Sequence, residues 1–591
     1  MRWTQQVVAR GREQFGGQPA IIDEGRAVTF KELADRVAGV AAGLAAAGVQ
    51  HGDRVMVQSR NRVEVVETYL ALGDLGAVAV PLHWTARTPE ITAVVERCGI
   101  DLRIGEREVL AESPVDGCRD VPFDGEDYLA WLRYPAAESN DGTDADLLFV
   151  LHTSATTGEP KGVMVHHGSV AAAASGWLEA AGHAEYPGGR IALMFCTPLS
   201  HGSLVVALAY LSSGATVVLT RTFTQQGCVA AMRRSHVSHV FAVPQMVKLL
   251  AEIEGLAPSD LGDLREVIYA AAPMPNATLR SAREVLGCEF RQMYGLTEGG
   301  GPMAMLAPQE HDFRAGDGEQ TAVGRPIPGV SFQVRDEHGL ALPAGRSGEV
   351  WMSGPGAMRG YWRNEAATAE AMTSDGWVRS GDLGLLDERG IMHLIGRVKE
   401  VINFAGQKIV PGEVEAVLRA HASVADACVV GLPSSDWGEV PHAFIVPAGS
   451  GTGDVTEELR GLCRERLAAY KRPFGYSLVT EIPRNPAGKV LRRVLRSRAV
   501  GAGPELDSVL ARVLDVAVAV SDGLVDMRSV DPDTSVVSLG FDSVLLMRLL
   551  SEVQAEFGIS WTLDLPPGAL DSLRSIAGVV AELLGKGPGR G

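Results

Sequence analysis

The sequence lacks the cysteine pattern of a disulfide framework or a zinc cluster. Its seven cysteines are scattered along 591 residues, and none stands in a C-x-x-C pair. A disulfide-rich secreted fold and a cysteine-ligated zinc site are therefore not indicated. The pattern fits a reduced, cytoplasmic compartment.

Long apolar runs and an excess of basic charge are also missing. No stretch reaches about eighteen consecutive apolar residues, and the first residues contain no apolar core of signal-peptide length. The formal net charge is -18, which leaves no global basic footprint for nucleic acid. We therefore expect neither a membrane nor nucleic acid as a partner.

The composition is that of an ordinary globular protein, with 46% hydrophobic and 21% charged residues. A chain of 591 residues is too long for one core. Its length predicts roughly three or four domains.

The first part of the chain alternates between short apolar strands and helices. Thr29 and Glu32 form a capping box, which predicts a helix that runs to Gly48. A strand (RVMVQS), a helix (VEVVETYLALGDLG) and another strand (AVAVPL) follow, and similar alternation continues to about residue 395. This pattern predicts a layered α/β domain with largely buried sheets.

The remaining chain divides into smaller parts. We predict a large domain at 1–396, a small α+β domain at 397–498, a linker at 499–504, a four-helix bundle at 505–585 and a disordered tail at 586–591. The small domain ends in a basic run, whereas residues 505–585 contain thirteen acidic residues and four arginines. The periodicity of the acidic part is helical throughout.

One loop has the composition that a polyphosphate requires. The stretch LLFVLHTSATTGEPKGVMVHH, residues 147 to 167, places hydroxyls, glycines and one lysine between two apolar runs. It is not a Walker A loop, because that motif is absent and a strand is expected to follow. The alternative is a hydroxyl-rich hairpin turn. The candidate phosphate ligands are Thr153, Ser154, Thr156, Thr157, Gly158 and Lys161.

Read as a whole, this loop resembles the signature loop of the acyl-adenylating enzymes, which include acyl-CoA synthetases and nonribosomal adenylation domains. Four more stretches resemble that family's motifs in the family's order: YGLTE at 294–298, SGDLG at 380–384, GRVKEVINFAGQKIVPGEVE at 396–415 and PRNPAGKVLRR at 483–493. The resemblance covers nearly all of residues 1–497. It departs from the usual loop at Ala155, where glycine is usual and alanine tolerates positive φ poorly.

The resemblance implies that ATP activates a carboxylic acid and that a thiol then captures the acyl-adenylate. It assigns adenine stacking to Tyr294, an α-phosphate contact to Thr297 and Mg²⁺ binding to Glu298. Without the resemblance, Tyr294 could equally be a half-buried core aromatic residue.

The same resemblance gives roles to four residues further along the chain. Asp382 would accept the ribose hydroxyls, and Arg397 would also reach the ribose. Lys399 would lie at the hinge of the small domain, and Lys489 would bridge the carboxylate and the phosphate as the catalytic lysine. The alternatives are a turn aspartate for Asp382 and a solvated basic run for Lys489.

The acid itself is only coarsely indicated. The stretch TPLSHGSLVVAL, residues 197 to 208, resembles the P-L-x-H pattern of acyl- and aryl-CoA synthetases, with His201 at the pocket entrance. It contains no acidic residue to pair an α-ammonium, which argues against an ordinary α-amino acid. His201 could instead be structural. The other pocket candidates, which are small or apolar, are Met246, Ala271, Ala272, Gly299, Gly300 and Met303.

A serine near the end of the chain opens an apolar helical run in VSLGFDSVLLMRLL, residues 537 to 550. From periodicity alone, Ser543 or the preceding aspartate caps a helix. The buried side of that helix would be formed by Leu545, Met547, Leu549 and Leu550. The stretch also resembles the L-G-x-D-S element of acyl and peptidyl carrier proteins, in which the serine carries 4′-phosphopantetheine. A helix N-terminus suits a phosphodiester, and a serine can serve as cap and attachment site together.

Our leading hypothesis is an enzyme that adenylates a carboxylic acid and loads it onto its own carrier domain. The implied cofactors are ATP, Mg²⁺ and 4′-phosphopantetheine on Ser543, and the implied partners are a phosphopantetheinyl transferase and downstream biosynthetic enzymes. The alternatives are a ligase that acts on CoA or a separate carrier, and a nucleotide-controlled scaffold without catalysis. The presence of Glu298, Lys489 and Ser543 counts against the scaffold.

Overall fold

The computed structural model divides the chain into two compact units, Met1–Leu491 and Arg492–Gly591. The structure describes residues 1–135, 142–153, 161–184, 190–200, 202–313, 319–434, 437–448, 455–484, 490–502, 505–521, 532, 534–536, 538–539, 541, 543–557, 570 and 572–585.

Helices and strands alternate through most of the first unit. Its α-helices are α1 Trp3–Phe15, α2 Phe30–Ala46, α3 Val63–Leu75, α4 Thr88–Cys98, α5 Arg107–Glu112, α6 Glu126–Trp131, α7 His167–Ala181, α8 Gly202–Ser212, α9 Gln225–Arg234, α10 Pro244–Ala251, α11 Asn276–Leu286, α12 Glu365–Ala371, α13 Pro411–Arg419 and α14 Thr456–Arg466. Short 3₁₀ turns occupy Pro258–Leu261, Thr297–Gly299, Pro308–Glu310, Val398–Glu400 and Ala469–Lys471.

The strands of the first unit are β1 Pro19–Asp23, β2 Arg26–Thr29, β3 Arg54–Gln58, β4 Val78–Leu82, β5 Leu102–Gly105, β6 Arg119–Pro122, β7 Leu147–Thr153, β8 Lys161–His166, β9 Ala192–Phe195, β10 Thr216–Leu219, β11 His239–Ala242, β12 Glu266–Ala270, β13 Met274–Pro275, β14 Glu289–Leu296, β15 Gly301–Leu306, β16 Glu319–Gln320, β17 Ala322–Pro326, β18 Ser331–Arg335, β19 Gly348–Ser353, β20 Val378–Leu386, β21 Met392–Arg397, β22 Ile402–Phe404, β23 Gln407–Ile409, β24 Val424–Ser434, β25 Gly438–Pro447 and β26 Gly475–Leu478.

Two large sheets form the framework of this unit. One has thirteen strands in the order β18-β19-β20-β21-β17-β15-β14-β12-β11-β9-β10-β1-β2, and the other has six in the order β6-β5-β3-β4-β7-β8. Neighbouring strands among β9, β10, β11, β12 and β14 are parallel. The six-stranded sheet is parallel from β6 to β7 and ends in the antiparallel hairpin β7–β8.

Helices fill the space between the two sheets and cover their outer faces. Helix α3 packs against β3 and β4 of one sheet and β1 of the other, and α7 packs against β8 and β15. Residues of α9, α10 and α11 form a second apolar core on the outer face of the larger sheet. Helix α4 covers the outer face of the smaller sheet. These layers confirm the predicted α/β fold class.

The predicted opening elements are confirmed in order by α2, β3, α3 and β4. Thr29 caps α2 by accepting a hydrogen bond from the backbone N–H of Glu32, whose carboxylate in turn accepts from the backbone N–H of Thr29. The capping box therefore sets the start of the helix, as expected.

The alternation of strands and helices ends earlier than predicted. From β14 to β21 the paired strands are antiparallel, and α12 is the single α-helix that the structure describes there. In β18, buried positions alternate with exposed or half-buried ones. That period of two is typical of an antiparallel sheet with one covered face.

The segment after β21 forms a small α+β fold. Its five-stranded sheet has the order β23-β22-β25-β24, with β26 paired to β25, and it shares an apolar core with α13 and α14. Strand β23 leads directly into helix α13. Helix α14 ends at Arg466, because Leu467 is extended and packs with Tyr470 against this core.

The second unit is helical, with α15 Arg492–Ala502, α16 Glu505–Val520, α17 Ser543–Phe557 and α18 Leu573–Gly585. Side chains of α16, α17 and α18 share an apolar core. Helix α15 includes four of the six residues predicted as linker, because the Arg- and Ala-rich sequence around them favours helix. The predicted domain boundaries and the four-helix count stay predictions.

One predicted core residue of α17 is wrong. Leu549 is fully buried and Leu545 and Leu550 are partly buried, but Met547 is 68% exposed. Met547 precedes Leu549 by two residues, which places it about 200° around the helix from that buried position. In the part of the chain that the structure describes, no helix is both long enough and apolar enough to cross a membrane.

Candidate active site

The candidate residues from several motifs follow the carboxyl ends of neighbouring parallel strands. In the larger sheet β9, β11, β12 and β14 are adjacent. The stretch leading to His201 follows β9, Met246 lies in the helix after β11, Ala271 follows β12, and Thr297 follows β14. Since the carboxyl ends of parallel strands share one edge, the fold gathers these segments where open α/β sheets bind ligands.

Tyr294, Asp382 and Arg397 form a hydrogen-bonded cluster next to this edge. The phenol of Tyr294 donates to Oδ2 of Asp382 at 2.7 Å, and Nε of Arg397 lies 2.8 Å from Oδ1 of the same carboxylate. Asp382 and Arg397 are directly paired between β20 and β21. The structure thus brings together three predicted nucleotide ligands from three separate motifs.

Asp382 is buried, and hydrogen bonds to its backbone also hold it in place. Its N–H donates to Oγ of Ser380 at 3.0 Å, and the Ser380 hydroxyl donates to the carbonyl of Val350 at 2.6 Å. A carboxylate accepts hydrogen bonds at about four lone-pair sites. Asp382 is therefore a suitable acceptor for ribose hydroxyls.

The carboxylate of Asp382 stabilises the charged form of Arg397 and the protonated form of Tyr294. Burial, followed by the negative charge of Asp382, raises the pKa of Tyr294 well above its usual range, so the phenol stays a donor. Burial disfavours the charged form of Arg397, but the charge of Asp382 offsets this, and the pKa of Arg397 is raised. The guanidinium therefore remains a fixed cation beside the carboxylate.

The turn after β14 contains four predicted site residues. Thr297, Glu298 and Gly299 form a 3₁₀ turn, and the carbonyl of Thr297 accepts the N–H of Gly300 at 2.9 Å. Gly300 has φ +78°, and a Cβ there would lie 1.9 Å from the carbonyl oxygen of Gly356. Glycine is therefore required at this position, because the backbone is left-handed and the neighbouring chain leaves no room.

The phosphate-loop hairpin is confirmed at its base. Thr153 at the end of β7 pairs with Lys161 at the start of β8. Ser154, Thr156, Thr157 and Gly158, together with Ala155, lie outside the described residues. Their role in phosphate binding stays a prediction.

Lys161 and Glu298 are linked through Tyr361, which the sequence did not single out. The ammonium of Lys161 lies 5.0 Å from the centre of the Tyr361 ring. The Tyr361 hydroxyl donates to Oε1 of Glu298 at 3.0 Å. The residue predicted to bind phosphate and the residue predicted to bind Mg²⁺ thus share one buried neighbour.

The pocket candidates differ in exposure. Met303 is buried in β15, and a Cβ on Gly299 would lie 2.0 Å from the Met303 sulfur, so these two residues are in close contact. Met246 is partly buried in α10. Ala271 is exposed with φ +76°, an uncommon backbone for alanine, and Ala272 follows it. Strained backbone of this kind clusters at functional sites.

His201 lies outside the described residues, but the segment that leads to it is firmly held. Asn61, in the loop after β3 of the other sheet, donates through Nδ2 to the carbonyl of Thr197 at 2.9 Å. Its Oδ1 accepts the N–H of Leu199 at 2.8 Å, and the Tyr69 hydroxyl donates to the carbonyl of Leu199 at 3.2 Å. Asn61 could have been identified from the sequence by its position just after a predicted parallel strand.

Of the two lysines predicted for the small α+β fold, the structure describes one. Lys399 is exposed in the 3₁₀ turn between β21 and β22, next to Arg397. Lys489 lies outside the described residues. The flanks of its loop pair with each other, with Arg484 bridged to Val490. Hinge and catalytic roles stay predictions.

Ser543 is the first residue of α17, the position predicted for it. Its side chain and the preceding Asp542 lie outside the described residues. Both the capping role and the attachment role therefore stay predictions.

A second polar cluster lies in the same unit at the opposite, amino-terminal end of the strands. His183, His239 and Glu266 are buried, with potential ligand atoms within 4.8 Å of one another. Arg291 donates to both oxygens of Glu266 at 2.8 Å. The guanidinium already neutralises this carboxylate, so a divalent cation would add uncompensated buried charge. We interpret the cluster as a structural network.

The layered α/β fold, with a tyrosine, an aspartate and an arginine gathered next to one sheet edge, is that of the adenylate-forming class of enzymes. Family models agree along the chain. The model described as AMP-binding enzyme matches residues 8–362, the AMP-binding enzyme C-terminal domain matches 413–489, and the phosphopantetheine attachment site matches 506–583. The chain belongs to the AMP-binding enzyme family.

Known relatives share most of the first unit. The fatty acid–[acyl-carrier-protein] ligase ScoC of Streptomyces coeruleorubidus is 34% identical over 496 residues, which cover 82% of this chain and 94% of the relative. Feruloyl-CoA synthase of an Amycolatopsis species is 33% identical over 497 residues, covering 81% and 95%. The protein is thus an ATP-dependent ligase that activates a carboxylic acid and carries a phosphopantetheine attachment domain.

A solved structure shows the same fold. The amide bond synthetase McbA from Marinactinospora thermotolerans superposes with a TM-score of 0.74 at 30% identity, covering 84% of this chain and 99% of that one. ATP-bound MatB from Rhodopseudomonas palustris gives 0.75 at 27% identity, again covering 84% and 99%.

Proposed function

We propose that the protein adenylates an apolar carboxylic acid and transfers the acyl group to its own carrier domain at Ser543. The carboxylate attacks the α-phosphorus of ATP, and pyrophosphate leaves. When attached at Ser543, 4′-phosphopantetheine would supply the thiol that accepts the acyl group, with AMP as the leaving group and the thiol proton released. The product is a thioester on the same chain.

The observation that carries this proposal is the union of two parts in one chain. A hydrogen-bonded cluster of Tyr294, Asp382 and Arg397, which we predict to bind ribose, lies in the first unit, and the phosphopantetheine attachment model matches residues of the second. An adenylating enzyme needs a thiol acceptor, and a carrier needs a source of activated acid. Each part supplies what the other requires.

The remaining roles at the site follow from charge. Thr297 would donate to the α-phosphate, and Lys489 would bring the acid's carboxylate and the phosphate together, since two anions must meet. Glu298 would hold Mg²⁺, a fit supported by its carboxylate near the phosphate-loop lysine. When bound, Mg²⁺ neutralises charge on the phosphates.

The pocket supports an acid without an α-ammonium. The stretch around His201 contains no carboxylate, and the described pocket candidates include Met246 and buried Met303. A buried ammonium would lack a charged partner there. Relatives named for fatty acids and for ferulate agree with an aliphatic or aromatic acid.

The carrier domain would require further proteins, one to attach its prosthetic group and others to use its thioester. A phosphopantetheinyl transferase would load Ser543, and downstream biosynthetic enzymes would consume the thioester. Tethering places the carrier at an effective concentration of roughly millimolar, so loading within one chain needs no strong docking. The need for ATP supports a cytoplasmic location, and the seven cysteines, all within the described residues, form no disulfide.

The second candidate is a ligase that acylates CoA or a separate carrier. It is favoured by the feruloyl-CoA synthase relative, which matches 81% of this chain. Addition of CoA to the reaction separates the two candidates. A free acyl-CoA product formed faster than acylated carrier would favour the second.

Complementing variants test loading within one chain. Lys489→Ala should lack adenylation but keep the acceptor, and Ser543→Ala should adenylate but lack the acceptor. Mixed at micromolar concentration, the pair should load far more slowly than the wild-type protein, and wild-type loading should be independent of dilution. A mixture that loads at the wild-type rate would contradict the proposal.

A further inference from the structure

Tyr361 contacts two residues that belong to different parts of the proposed site. It is 7% exposed and follows the glycine of the stretch MRGYW. Its hydroxyl lies 3.0 Å from Oε1 of Glu298, and its ring lies under the ammonium of Lys161, 5.0 Å from the ring centre. None of the motifs that indicated adenylation includes this tyrosine.

The backbone around Tyr361 is paired with the strand that begins at Lys161. The N–H of Trp362 donates to the carbonyl of Gly162 at 2.7 Å, and the N–H of Met164 donates to the carbonyl of Gly360 at 3.1 Å. The chain thus forms an isolated antiparallel bridge beside β8, with Tyr361 paired to Val163. This pairing fixes the ring of Tyr361 relative to Lys161.

The same segment is tied to the turn that carries Glu298. The N–H of Met358 donates to the carbonyl of Glu298 at 2.9 Å. The N–H of Tyr361 donates to Oγ1 of Thr368 at 2.9 Å. The position of Tyr361 is therefore set by backbone contacts on both sides, independently of its hydroxyl.

The chemistry of the contact suits a cation site. The Tyr361 hydroxyl donates to Oε1 of Glu298 at 3.0 Å, and the residue that provides it is buried. This hydrogen bond to Oε1 restrains the Glu298 carboxylate, which a cation would share. Mg²⁺ in nucleotide sites is usually held by one or two carboxylates together with phosphate oxygens.

We propose that Tyr361 is a positioning residue that holds the Glu298 carboxylate and the Lys161 ammonium in the arrangement that Mg²⁺ and ATP require. The inference rests on the proposed function. It separates two roles within one side chain: the hydroxyl orients the metal ligand, and the ring supports the lysine through a cation–π contact.

Two substitutions separate these roles. Tyr361→Phe removes the hydroxyl and keeps the ring, so the Mg²⁺ concentration for half-maximal pyrophosphate release should rise roughly tenfold, the usual cost of losing a partner that orients a metal ligand. ATP binding at saturating Mg²⁺ should stay near that of the wild type. Tyr361→Leu removes the ring as well, so it should also weaken ATP binding at saturating Mg²⁺.

The metal should be measured by binding as well as by turnover. Mn²⁺ bound to the protein in the presence of a non-hydrolysable ATP analogue can be counted by electron paramagnetic resonance. The Phe variant should need about tenfold more Mn²⁺ than the wild type for half-occupancy. The proposal would be overturned if Tyr361→Phe and the wild type needed the same Mn²⁺ concentration for half-occupancy and the same Mg²⁺ concentration for half-maximal pyrophosphate release.

The chain supplies a matched control in Tyr128. It is also buried, and its hydroxyl donates to a glutamate carboxylate, Oε1 of Glu67, at 2.9 Å, away from the proposed site. Tyr128→Phe should leave metal dependence unchanged, and a shift equal to that of Tyr361→Phe would reduce the effect to general destabilisation and overturn the positioning role. If the wild type adenylates no acid, the proposed function fails, while the Mn²⁺ titration still reports on Tyr361.

Discussion

Tyr294 and Asp382 are joined by a hydrogen bond of 2.7 Å across 88 positions of the chain, with the phenol as donor. Arg397 holds the other oxygen of the same carboxylate. Residues from three separate motifs therefore meet at one buried carboxylate, that of Asp382. This convergence is the strongest structural support for a nucleotide site in the first unit.

Substitution of Asp382 should weaken nucleotide binding through the ribose. Asp382→Asn loses one charged acceptor, worth about 1.5–3 kcal/mol, so AMP binding should fall roughly ten- to a hundredfold. Calorimetry with AMP and with its 2′- and 3′-deoxy forms measures this. The wild type should discriminate against the deoxy forms, and the variant should not. Undiminished discrimination by the variant would mean that Asp382 does not contact the ribose.

Asn61 should position the segment that leads to His201. Asn61→Ala removes the two hydrogen bonds to Thr197 and Leu199, so the KM for the acid should rise roughly tenfold, with little change in the KM for ATP. Gln5→Ala is the matched control, because the Gln5 amide also accepts a backbone N–H, from Arg2, and donates to a carbonyl, of Asp74. Equal changes in both KM values for Asn61→Ala would contradict a specific effect on the acid pocket.

Ala271 should tolerate glycine but not valine. Its φ of +76° costs about 1–2 kcal/mol for an L-residue, and a β-branched side chain fits this region worse. Ala271→Val should lower the melting temperature, whereas Ala271→Gly should leave it nearly unchanged, because relieved strain offsets about 0.5–1 kcal/mol of lost chain entropy. Valine at Ala272, which lies outside the left-handed region, serves as the control. A similar fall in melting temperature for Ala272→Val would point to crowding instead of backbone strain.

Buried histidines should make stability fall in mild acid. Burial lowers the pKa of His167 and His183 to about 3 and that of His239 and His311 to about 4. Each is neutral when folded but protonates in the unfolded chain below its ordinary value of 6.5. The contribution of these histidines to the free energy of unfolding is therefore complete above pH 6.5. It is lost as the pH falls towards the lowered pKa values, by up to about 1.4 kcal/mol per pH unit for each proton.

The slope of melting temperature against pH tests this assignment. His239→Gln should show a shallower fall than the wild type between pH 6.5 and about 4, whatever its stability at neutral pH. The comparison separates this histidine from carboxylates that titrate in the same range. Parallel slopes would show that His239 does not contribute.

Sequence patterns predicted the structural features that depend on residues close together in the chain. The capping box at Thr29, the hairpin around the phosphate loop and the start of α17 at Ser543 are all present. Each depends on residues within one turn or one hairpin, where sequence and structure are directly connected.

Contacts between distant segments could not be predicted from such patterns. Asn61 reaches Thr197 across 136 positions, and Tyr361 reaches Glu298 across 63. Neither pairing leaves a periodic signal, because it depends on which strands become neighbours. The exposure of Met547 was missed for a related reason, since four apolar residues in a row leave the direction of the buried face open.

The central claim is that acid activation and loading occur in one chain, and intact-protein mass spectrometry tests it most directly. Protein carrying 4′-phosphopantetheine is given ATP, Mg²⁺ and a panel of aliphatic and aromatic acids. The account predicts a gain equal to one acyl group, located on the peptide that contains Ser543 and absent from Ser543→Ala. An acyl mass that persists in Ser543→Ala, or a pantetheinylated protein that releases pyrophosphate with an acid yet gains no acyl mass, would contradict it.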